Sequence, residues 1–354
     1  MAKRRDNSKP TSDAPAQSGF RMPPEWSPHS TCYVSWPCKE LTWHGHSGKS
    51  KAAYAQVIKA INRFEPVTVL ATPASIHEAR EALGNNLSFV EVELDDSWIR
   101  DNGPIFVKDD TGHVALVKFG FNAWGGKFPP WSKDELAPVA IARHLGIRHY
   151  VAPMILEGGS ISVDGEGTLL TTEQCLLNRN RNPQLSKDQI ERVLGDYLGT
   201  RKTVWLARGL EDDLTDGHVD GVAVFAGPHL VVVSHTKDES DPNFSSLEEN
   251  ISRLESATDA KGRSIEVVRI VHPRPRKVEG LPITPGYTNH YIANGGVIVP
   301  TYGISEDKIA LEALKSVYPG REVVGVSCSY IEIGGGAVHC ITQQQPSGET
   351  APRA

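Results

Sequence analysis

Long apolar runs are missing from this chain, and its cysteines follow no pairing pattern. No apolar stretch reaches the roughly 18 residues that a bilayer-crossing helix needs, so a spanning helix is excluded. The basic cluster Lys3-Arg4-Arg5 has no apolar run behind it, so a secretory signal is not expected. Five cysteines, at positions 32, 38, 175, 328 and 340, make an odd count at irregular spacings, which argues against a disulfide framework. The expected compartment is a reducing cytoplasm. A net charge of −6 disfavours nucleic acid and suits a small cationic partner. Neither Gly158-Gly159 nor Gly295-Gly296 opens a phosphate-binding loop.

No Ser/Gly/Pro-rich linker divides the chain, so one α/β domain is expected over residues 20–346. Residues 1–19 and 347–354 are poor in apolar side chains and are expected to be tails. Inside the domain, strands and helices alternate. Helical spacing places Tyr54, Val57, Ile58, Ile61 and Phe64 on one face, and helices are also expected over 137–145, 187–198, 247–257 and 307–317. Short β-rich runs lie between them, each ending at a polar or glycine-rich turn.

The polar residues at those turns are evenly spaced. Glu157 follows Asp96 by 61 (157 − 96), His218 follows Glu157 by 61 (218 − 157), and Cys340 follows His218 by 122 (340 − 218). A period near 60 predicts a repeated supersecondary unit whose equivalent ends meet around a common axis. The remaining node falls on Glu279, whose charged surroundings suit solvated surface. Cys340 follows the triple glycine Gly334-Gly335-Gly336, which permits a sharp backbone path. The run Val338 to Thr342 reads as a strand, and strand alternation then points Cys340 away from His339.

Asp96, Glu157, His218, Asp220 and Cys340 put three carboxylates around one histidine and one thiol, a set that requires a cation. A metal held by His218, Asp220 and Glu157 is one candidate. There is no second close histidine pair, however, and a thiol is unusual in so oxygen-rich a site. A guanidinium fits better, because its planar fork pairs two carboxylates and holds its central carbon over a thiolate. His218 is the expected proton carrier, oriented by Glu157. Trp98 and Trp124 are expected either to stack on a substrate chain or to pack in the core. Arg100 and Asp101 are expected to form an ion pair behind the site, and Cys32, Cys38, Cys175 and Cys328 to be structural thiols.

Several motifs then carry a resemblance. They are Asp95 to Pro104, Asn122 to Gly126, Glu157 to Ser160 with Asp164 to Thr168, Cys175 to Asn178 before Asn180 to Pro183, Thr215 to Asp220, Ile292 to Pro300, and Gly334 to Pro346. Over residues 22–346 the chain resembles the agmatine deiminases of the agmatine and bacterial-type peptidylarginine deiminase family. The resemblance implies a pentein fold, a pseudo-fivefold α/β propeller of five ββαβ-type modules. It implies Cys340 as nucleophile, His218 as general acid and base supported by Glu157, and Asp96 and Asp220 as guanidinium clamps. It also implies agmatine as substrate, no metal or organic cofactor, and a homo-oligomer. Three positions depart from the family pattern: Ala337, Ser162 and Gly221. Deimination of another guanidine, an amidinotransferase, or a non-catalytic guanidine-binding protein are the alternatives.

Overall fold

The computed structural model describes residues 14–351. Its helices form where periodicity, caps and tertiary contacts agree. The helix Lys187–Leu198 opens with a capping box between Ser186 and Gln189 and stops at the left-handed Gly199. The helix Ser47–Ile61 begins seven residues before Tyr54, the first residue of its apolar stripe (54 − 47). Tertiary contacts carry this first turn, as the Ser50 hydroxyl donates to the Tyr330 carbonyl at 2.8 Å and Lys49 pairs with Glu279 at 2.6 Å.

Five sheets share one construction. A first strand runs antiparallel to a second, a helical segment follows, and a third strand returns parallel to the second. Ile105–Lys108, His113–Gly120 and His149–Ile155 form one such unit. Ser162–Val163, Thr168–Thr172 and Lys202–Leu206 form the next. Ala223–Gly227, Leu230–His235 and Glu266–Val271 follow, and then Tyr291–Ala293, Gly296–Thr301 and Glu322–Ser327. In the remaining unit the first strand comes from the far end of the chain: Thr342–Pro346 pairs antiparallel with His29–Ser35, which pairs in parallel with Val67–Ala71. Each second strand is sandwiched between two neighbours; in Leu230–His235 this gives an apolar run, with Val231, Val232 and Val233 all buried. Among the described residues no sheet closes on itself.

The first strands begin at 105, 162, 223, 291 and 342. The intervals are therefore 57, 61, 68 and 51 (162 − 105, 223 − 162, 291 − 223, 342 − 291). The repeat is real in topology but not strict in length.

Two expectations need correction. The segments expected to be tails are partly built into the fold. Pro15–Ser18 form a 3₁₀ turn with Pro15 buried, and Glu349–Thr350 pair with His113 and Val114. Both gain backbone hydrogen bonds that composition does not reveal; Phe20 donates to Pro15 and Ala351 donates to Val114. Residues 1–13 and 352–354 lie outside the described residues. The run from Val338 to Ile341 is a turn, and the strand starts only at Thr342. The turn closes locally, with Thr342 N–H donating to the His339 carbonyl at 3.1 Å.

Candidate active site

Each unit delivers one polar group just ahead of its first strand. Asp101 stands four residues before Ile105, Glu157 five before Ser162, Asp220 three before Ala223, and Cys340 two before Thr342. In the unit that begins at Tyr291 the corresponding residue is Asn289, two positions ahead. Glu279 lies on the surface, bonded to Lys49 and to the Tyr330 hydroxyl.

The Cys340 thiol lies 3.7 Å from Asp220 Oδ2 and 3.2 Å from Asn289 Nδ2, which donates to it. Asn289 Oδ1 accepts from His339 N–H at 3.0 Å, so one side chain both shapes the turn and contacts the sulfur. Burial, and then the charges of Asp220 and Asp101, push the Cys340 thiol well above its ordinary pKa. At neutral pH it is therefore a thiol. A bound cation would reverse the carboxylate contribution and favour the thiolate.

His218 is buried, with Nε2 3.8 Å from Glu157 Oε2 and Nδ1 3.8 Å from Asp101 Oδ1. Burial alone would lower its pKa. The Asp101 charge, with contributions from Cys175 and Glu157, outweighs burial and holds His218 well above the usual histidine value. The imidazolium is thus primed to give a proton. Neither ring nitrogen has a hydrogen-bond partner among the described residues. Glu157 is held from behind by Arg181 Nε at 2.7 Å. Burial would raise the Glu157 pKa, yet His218 and Arg181 bring it below the ordinary value.

Gly159 marks where these groups converge. A Cβ there would lie 2.6 Å from His218 Nδ1, 2.8 Å from Asp101 Oδ1 and 2.9 Å from Asp220 Oδ2. Only glycine leaves room for them.

Two cavities meet at Cys340. The larger, about 280 Å³, has Trp98, Trp124, Phe128 and Leu214 among its walls and Asp96 and Asp101 among its polar groups. The smaller, about 40 Å³, touches His218, Asp220, Asn289 and Cys340. Asp96 accepts from the Thr42 hydroxyl at 2.8 Å and from Ser97 N–H at 2.9 Å, and lies 3.8 Å from Lys39 Nζ. Its pKa is raised, first by burial. Its immediate partners are therefore not those of Asp101, which is coupled to His218, Asp220 and Glu157.

The expected Arg100–Asp101 ion pair does not form. Arg100 turns to Glu25 and Gln344, at 3.2 and 2.9 Å. Asp101 turns inward instead, accepting from Gly159 N–H at 3.0 Å and from Trp124 Nε1 at 2.9 Å. Trp124 holds a left-handed backbone, φ 55°, which is costly for a bulky residue. Trp98 packs on the glycines beside the nucleophile, since a Cβ at Gly336 would meet its ring at 2.7 Å.

Residues 21–346 match the model of the Porphyromonas-type peptidyl-arginine deiminase family. The chain belongs to this family. It is 43% identical over 368 residues to the agmatine deiminase of Pseudomonas aeruginosa (strain LESB58), covering 97% of this chain and 100% of that one. A solved structure of the Enterococcus faecalis agmatine deiminase catalysing its reaction superposes with a TM-score of 0.91 at 37% identity, over 96% of this chain and 99% of that one. An amidinotransferase of Microseira wollei from the saxitoxin pathway shares the fold, with a TM-score of 0.53 at 12% identity over 95% of this chain and 100% of that one.

Within this deiminase-family chain, the structure brings Cys340, His218, Glu157 and Asp220 together, with Asp96, Trp98 and Trp124 on the walls of the larger cavity. Sequence reasoning missed Asn289, Arg181, Asp101 as an inward group, and Glu25. Arg181 was visible as part of the Asn180 to Pro183 motif, although nothing in the motif tied it to Glu157. Cys175, expected to be purely structural, lies beside His218. Glu157, Cys175 and His218 offer ligand atoms within 4.8 Å of one another. The Arg181 guanidinium on Glu157 opposes a metal cation there. All five cysteines are free thiols. Of the three departures, Ser162 accepts from Phe225 N–H at 3.0 Å, joining two units. A Cβ at Gly221 would make only ordinary contact with Leu210, at 3.7 Å, and Ala337 is buried beside the smaller cavity.

Proposed function

We propose that this chain is an agmatine deiminase, hydrolysing agmatine to N-carbamoylputrescine and ammonia in polyamine synthesis. The observation that carries this is the convergence of Cys340, His218, Asp101 and Asp220 at the inner end of an aromatic-walled cavity. The resemblance implies Asp96 and Asp220 as clamps. The charges acting on Cys340, however, are those of Asp220 and Asp101, and Asp96 is held by Thr42 and Ser97. We therefore place Asp101 with Asp220 on the guanidinium, and Asp96 on the wall along which the methylene chain runs between Trp98 and Trp124. Charge-assisted hydrogen bonds of this kind contribute roughly 1.5–3 kcal/mol each.

The binding cation lowers the Cys340 pKa, the thiol gives its proton to solvent, and the resulting thiolate attacks the guanidinium carbon. His218 gives its proton to the departing nitrogen, which leaves as ammonia, and an S-alkylthiouronium forms on Cys340. Neutral His218 then takes a proton from water, whose oxygen attacks the same carbon. The C–S bond breaks, the ureido product leaves and the thiolate is restored. Glu157 keeps His218 oriented in both halves. No metal or organic cofactor enters this scheme. In this reading residues 20–346 form one catalytic domain, the five units are arranged as a pseudo-fivefold propeller around the site, and the enzyme is a cytoplasmic homo-oligomer. No helix among the described residues is long and apolar enough to cross a membrane.

A second reading takes arginine or a peptidyl arginine as substrate, because Lys39 and Lys127 line the cavity and could meet a carboxylate. Both lysines are already engaged: Lys127 bonds Asp216 at 2.6 Å, and Lys39 donates to the Phe128 carbonyl at 3.4 Å. Agmatine is therefore favoured. Ammonia release from agmatine, arginine, a blocked peptidyl arginine and methylguanidine, assayed side by side, tests the choice. Selective turnover of agmatine is expected; selective turnover of arginine would overturn it.

A further inference from the structure

His339 was expected to face away from the site, but the turn that carries it brings it against Asp220. Its Nδ1 lies 2.8 Å from Asp220 Oδ2, and its Nε2 lies 2.9 Å from Glu25 Oε1. Both ring nitrogens meet carboxylate oxygens, and a carboxylate only accepts, so both nitrogens carry hydrogen and the ring is an imidazolium. The next link is Asp220 Oδ2 to the Cys340 sulfur, at 3.7 Å. A continuous path therefore runs from Glu25 through His339 and Asp220 to Cys340.

Glu25 comes from the segment that leads into His29–Ser35, distant in sequence from every other group in the site. It is buried and anchored a second time by Arg100 Nη1 at 3.2 Å. Arg100 in turn donates through Nε to the His339 carbonyl at 3.3 Å. We propose that Glu25 is a positioning residue for the deimination: through His339 it keeps Asp220 ionised and aimed beside Cys340. This rests on the function proposed above.

The electrostatics agree with the geometry. Burial, and then the Arg100 charge, work against a charged His339, yet Glu25 and the Asp220 hydrogen bond leave its pKa above the usual value. Burial would raise Asp220, but His339 brings it below the ordinary carboxylate value. Other charged or titratable groups nearby are His218, Asp101 and Glu332 around Asp220, His29 and Tyr318 near Glu25, and His290. His290 is lowered to about 4, first by burial, and so stays neutral at working pH.

The test combines nitrogen NMR of histidine-labelled protein with kinetics of wild type and Glu25→Gln. In wild type the His339 ring is expected to remain an imidazolium through neutral pH and above. Deprotonation near its ordinary pKa of about 6.5 would overturn the proposal without any variant. Glu25→Gln is expected to turn His339 neutral at pH 7, to lower kcat/KM by roughly 10–100-fold and to move the acidic limb of the pH profile upward. A folded Glu25→Gln protein with an unchanged imidazolium signal and pH profile would overturn it. The NMR readout needs no turnover, so failure of the proposed substrate would show separately, as absent ammonia release in wild type.

Discussion

Gly159 and His218 are set so close that a Cβ on residue 159 would lie 2.6 Å from His218 Nδ1. The same atom would crowd Asp101 and Asp220, so the smallest side chain displaces all three polar groups at once. Gly159→Ala is expected to lower kcat/KM by about 100-fold or more, the scale of an ångström misplacement. Steady-state kinetics on folded protein check this, and near-normal turnover would mean that the three groups do not act together.

Asp101 and Asp96 line the same cavity but keep different company. Asp101 is coupled to His218, Asp220 and Glu157, whereas Asp96 is held by Thr42 and Ser97. Asp101→Asn is therefore expected to cost roughly 100-fold with agmatine and a similar factor with methylguanidine, which has no tail. Asp96→Asn should impair agmatine more than methylguanidine. Equal losses in Asp96→Asn for both compounds would place Asp96 at the guanidinium, as the motif alone suggests.

Asn289 supplies the only side-chain donor to the Cys340 sulfur seen among the described residues. Asn289→Ala removes that donor and one of two acceptors of the His339 amide, which keeps its 3.1 Å bond to the residue 289 carbonyl. Turnover is expected to fall about tenfold or more, and the alkylation profile of Cys340 with iodoacetamide to shift to higher pH. An unshifted profile would assign Asn289 to packing alone.

Glu332 is buried beside the smaller cavity and its pKa is raised to about 8, first by burial and then by the nearby Asp213 and Asp220 charges. A carboxyl raised in the folded state is protonated there while the unfolded chain has already lost the proton. Between about 4.5 and 8 this group therefore makes folding stability fall as pH rises. Glu332→Gln removes that dependence and can still accept from Tyr302. Its thermal midpoint should gain on wild type between pH 5 and 8, and a constant difference across that range would contradict the assignment.

Much of this was legible in the sequence because it is local. The helix Lys187–Leu198 was bounded at both ends by its capping box and its left-handed glycine. Cys340, His218, Glu157 and Asp220 stood in motifs with matching chemistry. What was hidden depends on geometry between distant segments. Arg100 and Asp101 look like an ion pair in sequence, but neighbours on a helical turn diverge. One points out to Glu25 and the other in to His218. Asn289 escaped because its unit is offset: the interval of 68 before Tyr291 exceeds the period of 61 that pointed to Glu279. Glu25 lies in a short proline-flanked segment, and its partners Arg100 and His339 come from distant parts of the chain.

The most direct test of the central claim is acid-quenched mass spectrometry of the enzyme during agmatine turnover. The account requires an amidine-derived adduct on the peptide that carries Cys340, formed at a rate matching ammonia release and absent, together with turnover, in Cys340→Ala. Ammonia release by Cys340→Ala, or wild-type turnover with no kinetically competent adduct, would contradict it.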